Sequence, residues 1–360
     1  MSKDSHKKIA LVSISLAGGG AERSTALLSQ MLDRNGFEVH LITLTDAIDF
    51  EYAGTLFNLG KFKTAKDTLL KRLVRFSKLK AYLRREKFNF IIDVRSRSMP
   101  RKEAYYLHYL YKNESIIYMV HSFKLDNYFP LTTGVAKKMI AKAKGIVGVS
   151  QEIAEAVNTT FDTEKCICIY NTINQSIAAQ KTVLPIFVWA GRLVDNVKNV
   201  SLLLEAFAKA KKAHTKHQLH IYGEGPDKEK LQQKSRELGL SDTVIFKPFI
   251  HTIKTEMSKA KAVILSSHYE GFPSVLIESL SVGTPVISVD CKSGPKEIIK
   301  NQENGLLVKN HDADALAGAI NAFVTDDELY ARCKENAVAS VSHLSMDVIG
   351  KQWKEYIAGL

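Results

Sequence analysis

Glu270 and Glu278 stand eight residues apart in "SSHYEGFPSVLIESL" (266–280), and the Gly-Phe-Pro turn between them opens an amphipathic helix. Two carboxylates this close raise the possibility of glycoside hydrolysis, where an acid and a base face each other across the scissile bond. The flanking residues point elsewhere. Ser274 falls at the helix N-terminus, where free backbone N–H groups hold phosphate oxygens. Glu278, on the first turns, suits ribose hydroxyls, as acids in nucleotide sites do. Glu270, on the loop, faces whatever is attached beyond the phosphates. Both acids belong to one loop–helix unit around an anion-binding helix end, and that unit reads as a clamp for a sugar nucleotide.

Cations of matching use occur upstream. In "WAGRLVDNVKNVSLLLEAF" (189–207) one loop carries Arg192 and Lys198 from the end of a strand to the start of a helix. A planar guanidinium fork and a point-charge ammonium together suit a diphosphate; solvated surface charge is the alternative. In "SLAGGGAERS" (15–24), Gly18, Gly19 and Gly20 let the backbone approach a phosphate or sugar where a helix begins, with a plain tight turn as the alternative. Arg23 stands where a dinucleotide fingerprint needs glycine, and no Gly-Lys-Ser/Thr follows for a Walker loop. "IYGEGPDKEKL" (221–231) breaks after a strand at Gly223 and Gly225, with Pro226 starting a helix. On its own this is ordinary turn chemistry. Asp312-Ala-Asp314 reads as a helix start before "ALAGAI", not as a metal motif. No metal site is expected.

These residues need a scaffold that delivers them to strand ends. "KIALVSIS", "FEVHLITL", "FNFIID", "SIIYMV" and "GIVGVS" read as one set of strands. "PIFVWAG", "QLHIYG", "TVIFKPF", "AVILSS", "TPVISVD" and "NGLLV" form a second. Near-continuous Val/Ile/Leu runs, each followed by a helical stretch, predict parallel sheets covered on both faces. The expected fold class is α/β, with two doubly wound Rossmann-like domains facing a cleft and ligands at the carboxyl ends of strands. Residues 172–185 lack periodicity and are expected to hold the linker. The predicted domains are 1–175, joined by a final helix at 343–360, and 176–342.

The chain of 360 residues is long for one domain, and with 45% hydrophobic and 24% charged residues it is ordinarily globular. The cysteines Cys166, Cys168, Cys291 and Cys333 are scattered and read as buried thiols in a reducing compartment. The N-terminal apolar run is too short for a leader, and no run reaches the roughly 18 apolar residues of a membrane span. The net charge of +12 is uneven: residues 61–87 hold eleven Lys/Arg against Asp67 and Glu86. Leu69, Leu73, Phe76, Leu79 and Leu83 recur there at helical spacing. Two readings stand: an ordinary surface helix packing this stripe, or a helix on an anionic membrane surface. No aromatic-interleaved basic motif accompanies the charge, so nucleic acid is not an expected partner.

In this order "GGGAER", "VGVS" with "YNTIN", "AGRL…VKN", "YGEGP", "EGFPSVLIE" and "GTPVISVDCKSGPKEII…NGLLV" carry a resemblance over essentially the full length. The chain resembles the retaining glycosyltransferases of family 4, with the GT-B fold, of the kind that builds bacterial surface glycans and lipid-linked oligosaccharides. The resemblance implies a nucleotide-sugar donor, UDP-sugar before GDP-sugar, and a saccharide acceptor, in many members lipid-linked. It implies no cofactor and no metal. It places Arg192 and Lys198 on the leaving diphosphate, Glu270 with Gly271 and Phe272 on the donor sugar, and Glu278 on the ribose. Pro273, Ser274 and Val275 complete that unit, Gly223 and Glu224 adjoin the donor, and Phe249 and Ile250 flank the base. His121, at the end of "SIIYMV", matches an N-domain histidine facing the donor sugar, whereas a lone histidine is more often structural. The final helix, in "SMDVIGKQWKEYIAGL", is expected to cross back to the N-domain. Front-face displacement in closed domains, at the cytoplasmic face of a membrane, is the implied setting. A nucleotide-sugar 2-epimerase and a catalytically silent partner subunit are the alternatives.

Overall fold

The computed structural model describes residues 7–64, 66–173, 182–210 and 216–360. The chain divides into two compact units. Unit 1 runs to Thr172 and regains Met346–Leu360; unit 2 is Ile173–Ser345. Most of the expected linker at 172–185 lies outside the described residues.

Unit 1 is built on β1 (Lys8–Ser13), β2 (Glu38–Thr43), β3 (Thr55–Asn58), β4 (Phe90–Asp93), β5 (Ile116–Val120), β6 (Gly145–Gly148) and β7 (Cys166–Cys168). Their order is β3-β2-β1-β4-β5-β6-β7, and every pairing is parallel. Unit 2 holds β8 (Ile186–Ala190), β9 (Gln218–Tyr222), β10 (Val244–Lys247), β11 (Ala262–Leu265), β12 (Val286–Val289) and β13 (Gly305–Val308). Their order is β10-β9-β8-β11-β12-β13, again all parallel. The central strands β4, β5, β6, β11 and β12 are buried along their whole length. That burial is why they read as unbroken apolar runs instead of alternating ones. Each sheet reverses its strand order once, between β1 and β4 in unit 1 and between β8 and β11 in unit 2. In such sheets the crevice for a ligand opens at that reversal, beyond the carboxyl ends of the strands.

Edge strand β3 falls outside the expected strand set, while β7 forms in the strand-like "KCICIY". β3, "TLFN", is only partly buried, so it lacks the apolar run that announced the others. All four cysteines are free thiols, and burial pushes Cys166 up to about 12. Asp312 does cap the helix Ala313–Thr325, accepting from the Ala315 N–H at 2.9 Å. Among the described residues no helix is long and apolar enough to cross a membrane.

The helix Met346–Gly359 returns to unit 1 and packs on the helix Gly20–Arg34. Gly350 makes this approach possible, since a Cβ there would strike the Asn35 amide and crowd Met31. Lys7 Nζ donates to the Ile357 carbonyl (2.9 Å), and Arg34 Nη1 to Met346 Sδ (3.3 Å).

The apolar stripe expected along 69–83 is corrected by the structure. The helix Leu69–Glu86 buries only its second half, through Leu79, Tyr82 and Leu83, while Leu73 is 53% exposed. The reason is where neighbours exist. Tyr82 stacks on Phe57 of β3 at 4.1 Å between ring centroids, and its hydroxyl lies 2.6 Å from His40 Nδ1 of β2. Lys80 Nζ reaches the Leu110 carbonyl at 2.7 Å.

Candidate functional site

In unit 2 the candidate residues leave neighbouring strands on the two sides of the order reversal. β8 ends at Ala190 and delivers Arg192, which is exposed and has no side-chain partner among the described residues. The loop is rigidly seated. Gly223, at φ +148°, and Gly225 lie directly on it: a Cβ would collide with the Gly191 carbonyl in one case and the Leu193 carbonyl in the other. Leu193 N–H donates to the Glu224 carbonyl at 2.9 Å. The glycines of "YGEGP" are therefore required by close backbone packing beneath Arg192. The Glu224 side chain pairs with Lys228 one turn on, at 2.9 Å.

Lys198 ends the short helix Asp195–Lys198. Asn199 then turns the chain with φ +48°, and Asp195 caps the following helix by accepting from Ser201 N–H (2.9 Å) and Ser201 Oγ (2.6 Å). Ser266, just after β11, donates to the Lys198 carbonyl at 3.1 Å, and His268 N–H donates to the Val197 carbonyl at 2.8 Å. The β8 and β11 loops are thereby stitched together by main-chain and hydroxyl bonds.

That stitching brings Lys198 and Glu270 into contact. Lys198 Nζ lies 2.7 Å from Glu270 Oε1, and the same oxygen accepts from Ser267 Oγ at 2.6 Å. Glu270 Oε2 has no partner among the described residues. Ser267 is fully buried and aims the carboxylate; the sequence reading did not single it out. Its only signal is a position three residues before the acid. A second brace comes from the loop after β12. Glu270 N–H donates to the Lys292 carbonyl (2.6 Å), and buried Ser293 Oγ donates to the Gly271 carbonyl (2.7 Å). Gly294, at φ +101°, passes so close to Pro273 and Gly271 that a side chain would not fit.

Pro273 precedes the helix Ser274–Ser281; Ser274 and Val275 on its first turn are partly exposed, and Phe272 is buried. Glu278, on the second turn, is only 7% exposed. Phe249, after β10, is 47% exposed and meets His251 edge-to-face.

In unit 1, Gly18 has φ +79° and Gly19 precedes the helix Gly20–Arg34. A Cβ at Gly18 or Gly20 would meet nothing within 4 Å, whereas one at Gly19 would strike the Glu22 carboxylate, which folds back on the helix end. Ser24 Oγ donates to Asn171 Oδ1 (2.7 Å), which ties "GGGAERS" to "YNTIN".

His121 follows β5, and its Nε2 is buried with no hydrogen-bond partner among the described residues. Burial, reinforced by the Arg97 charge, pulls its pKa down to about 4, so the imidazole is neutral at physiological pH. Arg97 belongs to a cluster the sequence reading passed over, in "DVRSRS" beyond β4. Arg97 is wholly buried and donates to the carbonyls of Asp93 (2.8 Å), Arg95 (2.8 Å), Met119 (2.8 Å) and Tyr128 (3.2 Å). Arg95 grips Asp93 through two bonds of 3.0 and 2.7 Å and reaches Glu103 at 3.0 Å. Burial would raise the Asp93 carboxyl, but Arg95 and Arg97 outweigh it and hold it below the usual range. The cluster joins the ends of β4 and β5 and presents His121.

A pH dependence follows. The fold binds His121 neutral at about 4, whereas the unfolded chain protonates it near 6.5. This contribution to stability is complete above about 6.5 and is lost as pH falls toward 4. Urea midpoints at pH 7.5 and 5 should therefore separate more in the wild type than in His121→Gln. Equal separations would mean that His121 is not buried neutral.

Residues 172–339 match the family described as "Glycosyl transferases group 1", and residues 18–176 match "Glycosyltransferase Family 4". An N-acetylgalactosaminyltransferase of Campylobacter jejuni, named for a diacetylbacillosaminyl-diphospho-undecaprenol substrate, is 28% identical over 98% of this chain and 100% of its own length. The lipopolysaccharide 1,6-galactosyltransferase of Escherichia coli is 28% identical over 56% of this chain and 53% of its own. Among solved structures, Anabaena HepE in complex with UDP and glucose superposes with a TM-score of 0.82 at 18% identity, covering 99% of this chain and 100% of that one. Staphylococcus aureus TarM in complex with UDP gives 0.81 at 16%, covering 98% and 99%.

Proposed function

This chain belongs to glycosyltransferase family 4 and has the GT-B fold, and from that premise we propose that it moves a hexosyl or N-acetylhexosaminyl group from a UDP-sugar to a lipid-linked saccharide, with retention of anomeric configuration. The observation that carries this reading is the delivery of Arg192, Lys198 and Glu270 to the carboxyl ends of adjacent β8 and β11, with Lys198 bonded to Glu270. UDP in the HepE and TarM complexes supports the donor class, and the undecaprenol-linked substrate named for the Campylobacter relative supports the acceptor class.

Arg192 and Lys198 take the diphosphate, the first as an unpaired fork and the second as an ammonium already aimed by the stitched loops. Glu270 Oε2 accepts from a hydroxyl of the donor sugar, next to the Gly271 and Phe272 backbone. The N-terminus of the helix Ser274–Ser281 adds favourable dipole, and Glu278 takes the ribose. Phe249 and Ile250 flank the base. Gly223 and Glu224 act by seating the Arg192 loop. The Gly18–Gly20 backbone takes a sugar or phosphate oxygen, and neutral His121 exchanges a hydrogen bond with a sugar hydroxyl.

In the reaction the bond from the anomeric carbon to the UDP oxygen breaks and the acceptor oxygen bonds to the same face. The acceptor proton passes to the departing phosphate oxygen. Charge grows on that phosphate, so cations held in place beforehand lower the barrier without reorganising. The direct test is incubation with a panel of UDP-sugars and a short polyprenyl-diphosphate saccharide, with products read by mass and anomeric coupling. An extended saccharide of retained configuration is expected. An epimerised UDP-sugar would replace this reading with a 2-epimerase, and no turnover at all with a silent partner subunit.

Ser267 gives a finer test. Ser267→Ala frees the carboxylate to rotate about its ion pair. Transfer is expected to fall about tenfold, the cost of one lost hydrogen bond to a charged group. Affinity for UDP alone should stay put, and Ser267→Thr, which keeps the hydroxyl, should recover most of the rate. An alanine variant as fast as wild type would remove Ser267 from the machinery.

A further inference from the structure

The helix Leu69–Glu86 leaves large apolar side chains in solvent on its opening turns: Leu70 is 75% exposed, Leu73 53% and Val74 59%. Phe62, in the short turn before it, adds a fourth at 43%. Positions 70, 73 and 74 share one helix face, opposite the buried Leu79, Tyr82 and Leu83. One such side chain at a surface is ordinary; three on one helix face, with Phe62 held to the same helix under Lys78, mark a contact site.

The surroundings say what kind of contact. Lys61, Lys63, Lys66, Lys71 and Lys78 are all exposed, and none forms an ion pair among the described residues. Lys78 Nζ sits over the Phe62 ring, 4.3 Å from its centroid, and Lys71 Nζ donates to Thr64 Oγ1 at 3.1 Å. The single acid of this stretch, Asp67, is taken up by Arg72 and Arg75 at 2.9 Å each. Protein interfaces deplete lysine at their centres, whereas helices lying in a lipid interface combine an apolar strip with a lysine-rich margin. Long lysine stems can lie beside the apolar strip and still place their ammonium groups among phosphates.

We propose that this face docks on an anionic lipid bilayer, with Phe62, Leu70, Leu73 and Val74 entering the boundary between headgroups and chains and the five lysines meeting lipid phosphates. Of the helical stripe that the sequence suggests, only Leu73 is in the inserting set; Phe62, Leu70 and Val74 lie outside it. Docking serves the lipid-linked acceptor proposed above and rests on that reading for its purpose, but the surface itself stands on the exposed side chains and their charge.

The experiment is sedimentation with vesicles of phosphatidylcholine alone or with phosphatidylglycerol, with neither donor nor acceptor present. Wild type should bind only the anionic vesicles and release as salt rises from 0.05 to about 0.5 M, where exposed charges are screened. Lys61, Lys63, Lys66 and Lys71 changed together to Gln should weaken binding on the order of 10²-fold or more. Leu70, Leu73 and Val74 changed together to Ser should weaken it at least about tenfold, with the melting temperature and transfer to a water-soluble acceptor unchanged. Trp emission in Leu73→Trp should shift to the blue on anionic vesicles. Wild type left in the supernatant with anionic vesicles at low salt would overturn the proposal. So would an unshifted Trp emission, or a dimer that the triple Ser variant abolishes, which would assign the face to a second copy. Vesicle binding without sugar transfer would sink the functional reading and leave this one standing.

Discussion

Arg192→Ala is expected to slow sugar transfer on the order of 10²-fold or more, the loss seen when a preorganised charge or donor is taken from a developing anion. The guanidinium is exposed and has no side-chain partner among the described residues, so its removal leaves no buried group stranded and stability should be unaffected. The effect should appear in kcat as well as in UDP affinity, because charge on the departing phosphate is greatest in the transition state. Arg192→Lys should recover only part of the rate, since an ammonium cannot grip two oxygens in one plane. Wild-type transfer should also persist in EDTA. A fully active Arg192→Ala, or a wild type silenced by EDTA, would refute the cation clamp.

The second large effect separates the two glutamates. Glu270 neutralises Lys198 at 2.7 Å, so Glu270→Ala removes a sugar contact and releases a cation toward the phosphates. Transfer should fall about 10²- to 10³-fold, in the range of a lost contact to the reacting group. UDP affinity should hold or rise a few-fold, because the freed ammonium no longer has a competing carboxylate. Glu278→Ala acts on the ribose, common to donor and product, and should weaken UDP and UDP-sugar alike. Calorimetry with UDP alone distinguishes the two. Matching losses of UDP affinity in both variants would show that the division of roles is wrong.

The expected strand set and the fold class were legible because buried parallel strands must be continuous apolar runs. Strand β3 escaped for the same reason: at the sheet edge its side chains are half in water. Arg192, Lys198 and Glu270 could be placed from sequence because each follows a strand, and the sheet's reversal makes those strands neighbours. The Lys198–Glu270 contact could not be read, since it depends on Ser266, His268 and Ser267 stitching two loops distant in sequence. Arg95 and Arg97 were overlooked because charged residues are almost never fully buried unless paired, and the pairing partners become visible only in three dimensions. The stripe at 69–83 misled because periodicity records which residues could share a face. It does not record how far along the helix a neighbour extends.

The helix Met346–Gly359 belongs by packing to unit 1, yet all of unit 2 separates it from the rest of that unit. A ribosome delivers it only after Ser345 has been made. Until then the side of the helix Gly20–Arg34 near Met31 and Asn35 has no cover, nor does Gly145 of β6, where a Cβ would strike the Tyr356 hydroxyl. Unit 1 is therefore begun first and completed last, while unit 2, one uninterrupted segment, holds all it needs earlier. A message cut short after residue 345 would yield a finished unit 2 and a unit 1 whose helix Gly20–Arg34 lacks its covering helix. Exposed surface of that kind makes incomplete chains prone to aggregate, so the order of synthesis leaves unit 1 the more exposed of the two until the chain is finished.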